Sequence, residues 1–170
     1  MILATHAIAG AAVAQLFPQH PVFAFAAGFA SHLALDSIPH WDYKVLSVEK
    51  DKNEPLNTDM VMGKKFIFDA LRIGTDALAG LMLSIFVFFY FFHNVPLSIT
   101  LIGAIAGMLP DPLQFVYWKT RSPFLLPLQK FHIWIHSKTS LKASPALGLS
   151  LQFLIIVAVV SIVMLMRRSL

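Results

Sequence analysis

Long apolar runs separated by short polar breaks make up most of this chain. Stretches cut by Pro, Asn or clustered charge predict helices at about residues 3–17, 21–38, 66–92, 96–118 and 146–166. A sixth, at about 124–138, is interrupted by Pro127, Gln129 and Lys130, so it is expected to lie at the membrane interface or to insert partway. Between the second and third helices, residues 39–65 are polar and mixed in charge (VEKDKNEP), which predicts a mobile or extramembrane segment. The pattern as a whole predicts an all-α, polytopic transmembrane helix bundle. It has about five spans plus one short interfacial or re-entrant helix, in a single domain over residues 1–170.

Two hairpins, 3–38 and 66–118, read as a pseudo-repeat. The first runs THAIAG, FPQHP, GFASHLALDSIPHWDYK; the second runs TDALAG, HNVP, GAIAGMLPDPLQFVYWK. Gly28 matches Gly103, Asp36 matches Asp111 and Lys44 matches Lys119 at one constant offset, and His6 and Asp76 occupy matching places in the first arms. Two apolar helices also match by chance at this level. Counting from the short turns at about 1.5 Å per residue, His6 and His32 lie roughly 20 Å down the first hairpin and Asp36 about 25 Å. By the same count Asp76 and Asp111 lie roughly 25–28 Å down the second. All five are expected at one end of the bundle.

Composition sets the solvent: 57% of residues are hydrophobic, 13% are charged, and the mean hydropathy is +0.70. A run such as Phe86 to Phe92 (FVFFYFF) does not suit a soluble surface, so an integral protein of the cell's inner or plasma membrane is expected. The net charge of +4 sits in loops, where topology and lipid headgroups account for it, and no nucleic-acid site is read. Lys44, Lys50, Lys52, Lys64 and Lys65 in the first loop, with Lys119, Arg121, Lys130, Lys138 and Lys142 later, put the end carrying the His and Asp residues on the cytoplasmic side. Arg167 and Arg168 oppose that orientation if the last helix spans fully. The N-terminal stretch lacks the basic n-region of a signal peptide and is read as retained structure. No phosphate-binding or dinucleotide fingerprint and no serine nucleophile elbow occurs.

Ionisable groups inside apolar helices are costly to bury, which makes them functional candidates. His32 and Asp36 stand four apart on one helix face, and His132 and His136 repeat the spacing. Each pair alone also fits a polar contact between helices; gathered in one depth layer, the His and Asp residues favour a metal. With no Cys in the chain, any metal is held by imidazole and carboxylate. The candidate ligands are His6, His32, Asp36, Asp111, His132 and His136, around one or two divalent ions, with zinc the expected metal. Asp76 is the candidate general base, although Asp69, Arg72 and Asp76 also fit a helix-surface ion network. Asp111, between Pro110 and Pro112, also fits a helix break or cap. His40 either completes the site or faces headgroups, and His20 and His93 belong to the distant turns.

The elements Thr5-His6, Leu109-Pro110-Asp111, His136-Ser137 and His32 with Asp36 resemble those of inner-membrane proteins described as membrane-bound metal-dependent hydrolases. The resemblance covers most of the chain through short motifs. It departs in motif order, in Phe115 where a His is often found after the Leu-Pro-Asp element, and in a His132 to His136 spacing one residue short. The resemblance implies hydrolysis, with activated water attacking an ester or phosphoester. Location implies a lipid-like or lipid-linked substrate. The alternative is a non-enzymatic membrane protein, in metal or proton transport or as a scaffold, whose His/Asp cluster is structural.

Overall fold

A computed structural model describes residues 1–51, 53–139 and 141–168. Its helices are α1 (Leu3–Ala14), α2 (Pro21–Asp36), α3 (Lys64–Phe91), α4 (Leu97–Met108), α5 (Pro110–Thr120), α6 (Leu126–Ile135) and α7 (Pro145–Arg168). Two short antiparallel strands, β1 (Val48–Glu49) and β2 (Asp59–Met60), pair Val48 with Met60 and Glu49 with Asp59. The architecture is all-α apart from that ribbon.

α1 is the hub, packed against α2, α3, α4 and α7. Apart from Thr5 and His6 it is apolar, as a largely enclosed helix is expected to be, and Ala7, Ala11 and Ala12 join Phe88, Ala104 and Val163 in the core. Small residues let the backbones meet. A Cβ added at Gly10 would strike the carbonyl oxygen of Gly103 on α4, and one at Gly80 of α3 would strike Ala4 of α1.

Among the described residues, two helices are long and apolar enough to cross a membrane: α3 with 28 residues and α7 with 24, roughly 42 and 36 Å against a hydrocarbon core of about 30 Å. Their outward faces are apolar and bare, with Phe86, Phe89 and Tyr90 on α3 and Phe153, Leu154 and Leu165 on α7 all exposed. α4 and α5 form a third span if taken together, bent by 45°. This is fewer than the five spans expected. α1 has 12 residues and α2 has 16, roughly 18 and 24 Å of helix, too short to cross alone. Pro110 removes an N–H from the α4–α5 junction, and the axis turns there.

The polar segment 39–65, expected as a mobile or extramembrane segment, is held at several of its described residues. Lys119 Nζ on α5 lies 2.8 Å from an Asp59 carboxylate oxygen. The Arg121 guanidinium donates to the carbonyls of Leu56, Asn57 and Thr58. Arg121 itself closes α5 in the left-handed region, with φ 51°. Asp69 of α3 accepts from both the backbone N–H and the hydroxyl of Ser47, each at 2.7 Å. Polar composition alone carried no sign of these partners.

α6 and the chain after it fold back over the end of α2. The Ser137 N–H donates to the Asp36 carbonyl at 2.7 Å, and the Leu141 N–H to the His40 carbonyl at 3.0 Å. α7 starts beside Trp41, which Gly148 meets closely, and ends with Arg167 over the Phe92 ring at 5.8 Å. Arg167 and Arg168 therefore lie at the end opposite Asp36.

Candidate metal centre

Four structural features converge on Asp36, the last residue of α2 and 1% exposed. One helical turn earlier, His32 points the same way. The first turn of α1 presents His6, whose ring stacks on His32 with centroids 3.8 Å apart. The α4–α5 bend turns Asp111 inward at the first turn of α5, where a carboxylate also suits the helix dipole. α6 supplies His132 from its buried face and His136 at its C-terminal cap.

Asp36 Oδ2 lies 3.0 Å from His132 Nε2 and 3.2 Å from His32 Nε2; Oδ1 lies 3.1 Å from His6 Nε2. His32 Nε2 is also 3.6 Å from Asp111 Oδ1. One ligand atom from each of His32, Asp36, Asp111 and His132 falls within 4.8 Å of all the others, and the same holds for Asp36, His40 and His136. These buried clusters can hold a metal ion. All six residues expected as ligands are thus brought to one place.

The direction of the contacts says more than their length. Neither ring nitrogen of His6, nor Nε2 of His32, makes a hydrogen bond, although both Nε2 atoms crowd a carboxylate oxygen. Buried polar atoms seldom stay unpaired. His32 Nδ1 sits 2.7 Å from the Gly107 carbonyl, which only accepts, so Nδ1 carries the proton and Nε2 of the neutral ring keeps a bare lone pair. An Nδ1–H to backbone carbonyl bond is the usual outer support of a metal-ligating imidazole. Donor atoms each about 2.0–2.2 Å from a common ion stand roughly 3.0–3.5 Å from one another; His132 and His32 lie 3.0 and 3.2 Å from Asp36, His32 lies 3.6 Å from Asp111, and the other pairs of the four lie within 4.8 Å.

Positive charge is already present at the edge of the cluster. The Met1 amino group is buried 2.9 Å from Asp36 Oδ1 and 3.3 Å from Asp42 Oδ1. Burial opposes its protonation, but Asp36, Asp42 and Asp111 outweigh it and raise its pKa above the ordinary value. Burial likewise opposes ionisation of Asp42, yet His40 and the amino group hold its carboxyl below the usual range. Burial is the main cause that lowers the His136 pKa and favours the neutral ring a metal needs.

Asp76, expected as general base, is not brought into the cluster. Its carboxylate accepts from the backbone N–H groups of Leu3 at 2.7 Å and Ala4 at 3.3 Å, and from the Tyr43 hydroxyl at 3.2 Å. It caps the N-terminus of α1 from a neighbouring helix, satisfying donors that α1 has no residue of its own to serve. The alternative ion network is absent too: among the described residues no ion pair joins Arg72 to Asp69 or Asp76. Arg72 instead lies 4.3 Å over the Tyr43 ring. The residues matched between the two hairpins play unlike parts. Asp36 and Asp111 meet through His32, but one closes a helix and the other opens one, while His6 and Asp76 have different tasks.

His40, four residues past Asp36 and read as either completing the site or facing headgroups, has Nε2 3.2 Å from Asp42 Oδ2 and 4.0 Å from Asp36 Oδ1. Asp42 was not among the expected residues. His20 stands at the N-cap position of α2 without a side-chain capping bond, and His93 lines a cavity of about 300 Å³ with Phe92 and Arg167, at the end away from the cluster. That cavity contains none of the metal candidates. Compared with protein-family models, with curated proteins and with solved structures, the chain matches none.

Proposed function

We propose that the chain is a membrane-embedded, metal-dependent hydrolase acting on an ester or phosphoester of a lipid or lipid-linked substrate, with the cluster end facing the cytoplasm. His32, Asp36, Asp111 and His132 hold a divalent cation, zinc by the mix of imidazole and carboxylate donors, with His6 against them. The observation that carries this reading is the pair of unbonded Nε2 atoms on His6 and His32, pressed within 3.1 and 3.2 Å of Asp36. Bound there, the cation supplies Lewis acidity to water and to the substrate oxygen.

The protein's own residues have separable tasks. The Gly107 carbonyl orients the His32 ring. α1 and α2 exclude water from behind His6, His32 and Asp36, each no more than 1% exposed. The Asp111 side chain, 37% exposed, is the open member of the group and takes the proton-accepting place expected of Asp76. A lipid substrate is supported by α6, which buries Gln129 and His132 while exposing Phe131 and Trp134. That face suits a bilayer interface beside the centre.

A purely structural cluster is the second reading, and the Met1 amino group beside Asp36 favours it, because an ammonium also neutralises a buried carboxylate. Hydrolysis of carboxylic and phosphoric esters in mixed micelles separates the two. The proposal expects turnover that is lost with chelator and in Asp36→Asn. Absence of turnover on both ester classes while metal stays bound would remove the hydrolase and leave a metal site.

A further inference from the structure

His40, His136 and Asp42 border the centre without a task in it. From their geometry we infer a second divalent-cation position, bridged to the first by Asp36, with His40 and His136 as imidazole ligands and Asp42 as a flanking carboxylate. The inference rests on the reading of the first position as a metal site.

Asp36 divides its oxygens between two groups. Oδ2 faces His32 at 3.2 Å and His132 at 3.0 Å; Oδ1 faces the other way, toward His6 at 3.1 Å and His40 at 4.0 Å. A carboxylate between two cations offers one oxygen to each, and paired metal sites in hydrolases stand about 3.5–4 Å apart. Asp36, His40 and His136 present ligand atoms within 4.8 Å of one another, with His40 Nε2 4.0 Å from Oδ1.

The imidazoles are set up as His32 is. His40 Nδ1 lies 2.7 Å from the Ile38 carbonyl, and His136 Nδ1 lies 3.1 Å from the Ser137 carbonyl. Because a carbonyl only accepts, each neutral ring carries its proton on Nδ1 and keeps a lone pair on Nε2. At His40, 4% exposed, that lone pair faces Asp42 Oδ2 at 3.2 Å and Asp36 Oδ1 at 4.0 Å. A lone pair opposed to two carboxylates is repulsive unless a cation lies among them. The competing arrangement is a doubly protonated His40 paired with Asp42, which needs no ion. Two backbone bonds hold the segments in place, Ser137 N–H to the Asp36 carbonyl and Leu141 N–H to the His40 carbonyl. The Met1 amino group, touching Asp36 Oδ1 and Asp42 Oδ1, marks the same side as one that takes positive charge.

Manganese provides the test, because two manganese ions sharing a carboxylate are magnetically coupled and a lone one is not. The full chain in detergent is loaded with Mn²⁺, freed of excess and measured for metal per chain and by electron paramagnetic resonance. Two ions per chain with a coupled signal are expected, falling to one uncoupled ion in His40→Gln and in His136→Gln. Asp42→Asn, at a more exposed position, should weaken only the second ion and serves if the histidine variants do not fold. One uncoupled ion in the unaltered chain, unchanged by His40→Gln, would overturn the second position and leave the first intact. No bound manganese in any form would overturn both.

Discussion

Asp36 and Asp76 are both carboxylates in apolar helices, both at the same end of the bundle, yet their surroundings differ in kind. Asp76 is met by backbone N–H groups that aim straight at its oxygens, at 2.7 Å for Leu3. Asp36 is met mainly by imidazole nitrogens, and two of the rings that crowd it make no hydrogen bond there. The first arrangement is complete as it stands. The second gathers imidazole nitrogens around one carboxylate and leaves two of them unbonded, and that separates a cap from a cluster able to hold a metal ion where burial and depth do not.

Replacing each carboxylate breaks the comparison in a different observable. Asp36→Asn keeps the shape and removes the charge shared by His6, His32 and His132. It is expected to weaken zinc binding by more than about 100-fold, beyond the 10–100-fold typical of an outer-shell partner. Competition with a chelator of known affinity measures this. Asp111→Asn, half-exposed and facing only His32 among these rings, is expected to cost about tenfold by the same titration. Asp76→Ala leaves zinc affinity unchanged but strips the α1 cap, lowering stability by about 1–2 kcal/mol, read as a lower denaturation midpoint in detergent. His20→Gln and His93→Gln, at the far turns, are expected to alter neither zinc affinity nor stability beyond about 0.5 kcal/mol. A metal loss in Asp76→Ala equal to that in Asp36→Asn would erase the distinction drawn between them.

How much of this was visible in the residues depends on how local the signal is. The four-residue spacings of His32 with Asp36 and of His132 with His136 are helix geometry, and counting from the turns placed His6 and Asp111 at the same depth. Those residues do meet. Asp76 passed the same depth count, because depth does not say which backbone lies opposite, and its cap on α1 comes from packing between α3 and α1. The span count went astray for a related reason. α1 is as apolar as a crossing helix, but its 12 residues are enclosed by the other helices, and hydropathy does not distinguish burial in protein from burial in lipid. Within the polar segment, Arg121 and Lys119 hold β2 and the turn before it through contacts about 60 residues apart in sequence, beyond the reach of any local pattern.

The central claim, that the Asp36 cluster is a metal centre, is tested most directly by X-ray absorption at the zinc edge on the chain purified in detergent without chelator. Bound zinc is expected with nitrogen and oxygen neighbours at about 2.0–2.2 Å, clear imidazole scattering, and loss of that spectrum in Asp36→Asn but not in Asp76→Ala. A chain that carries no zinc, or one whose spectrum is the same in Asp36→Asn, would contradict that claim.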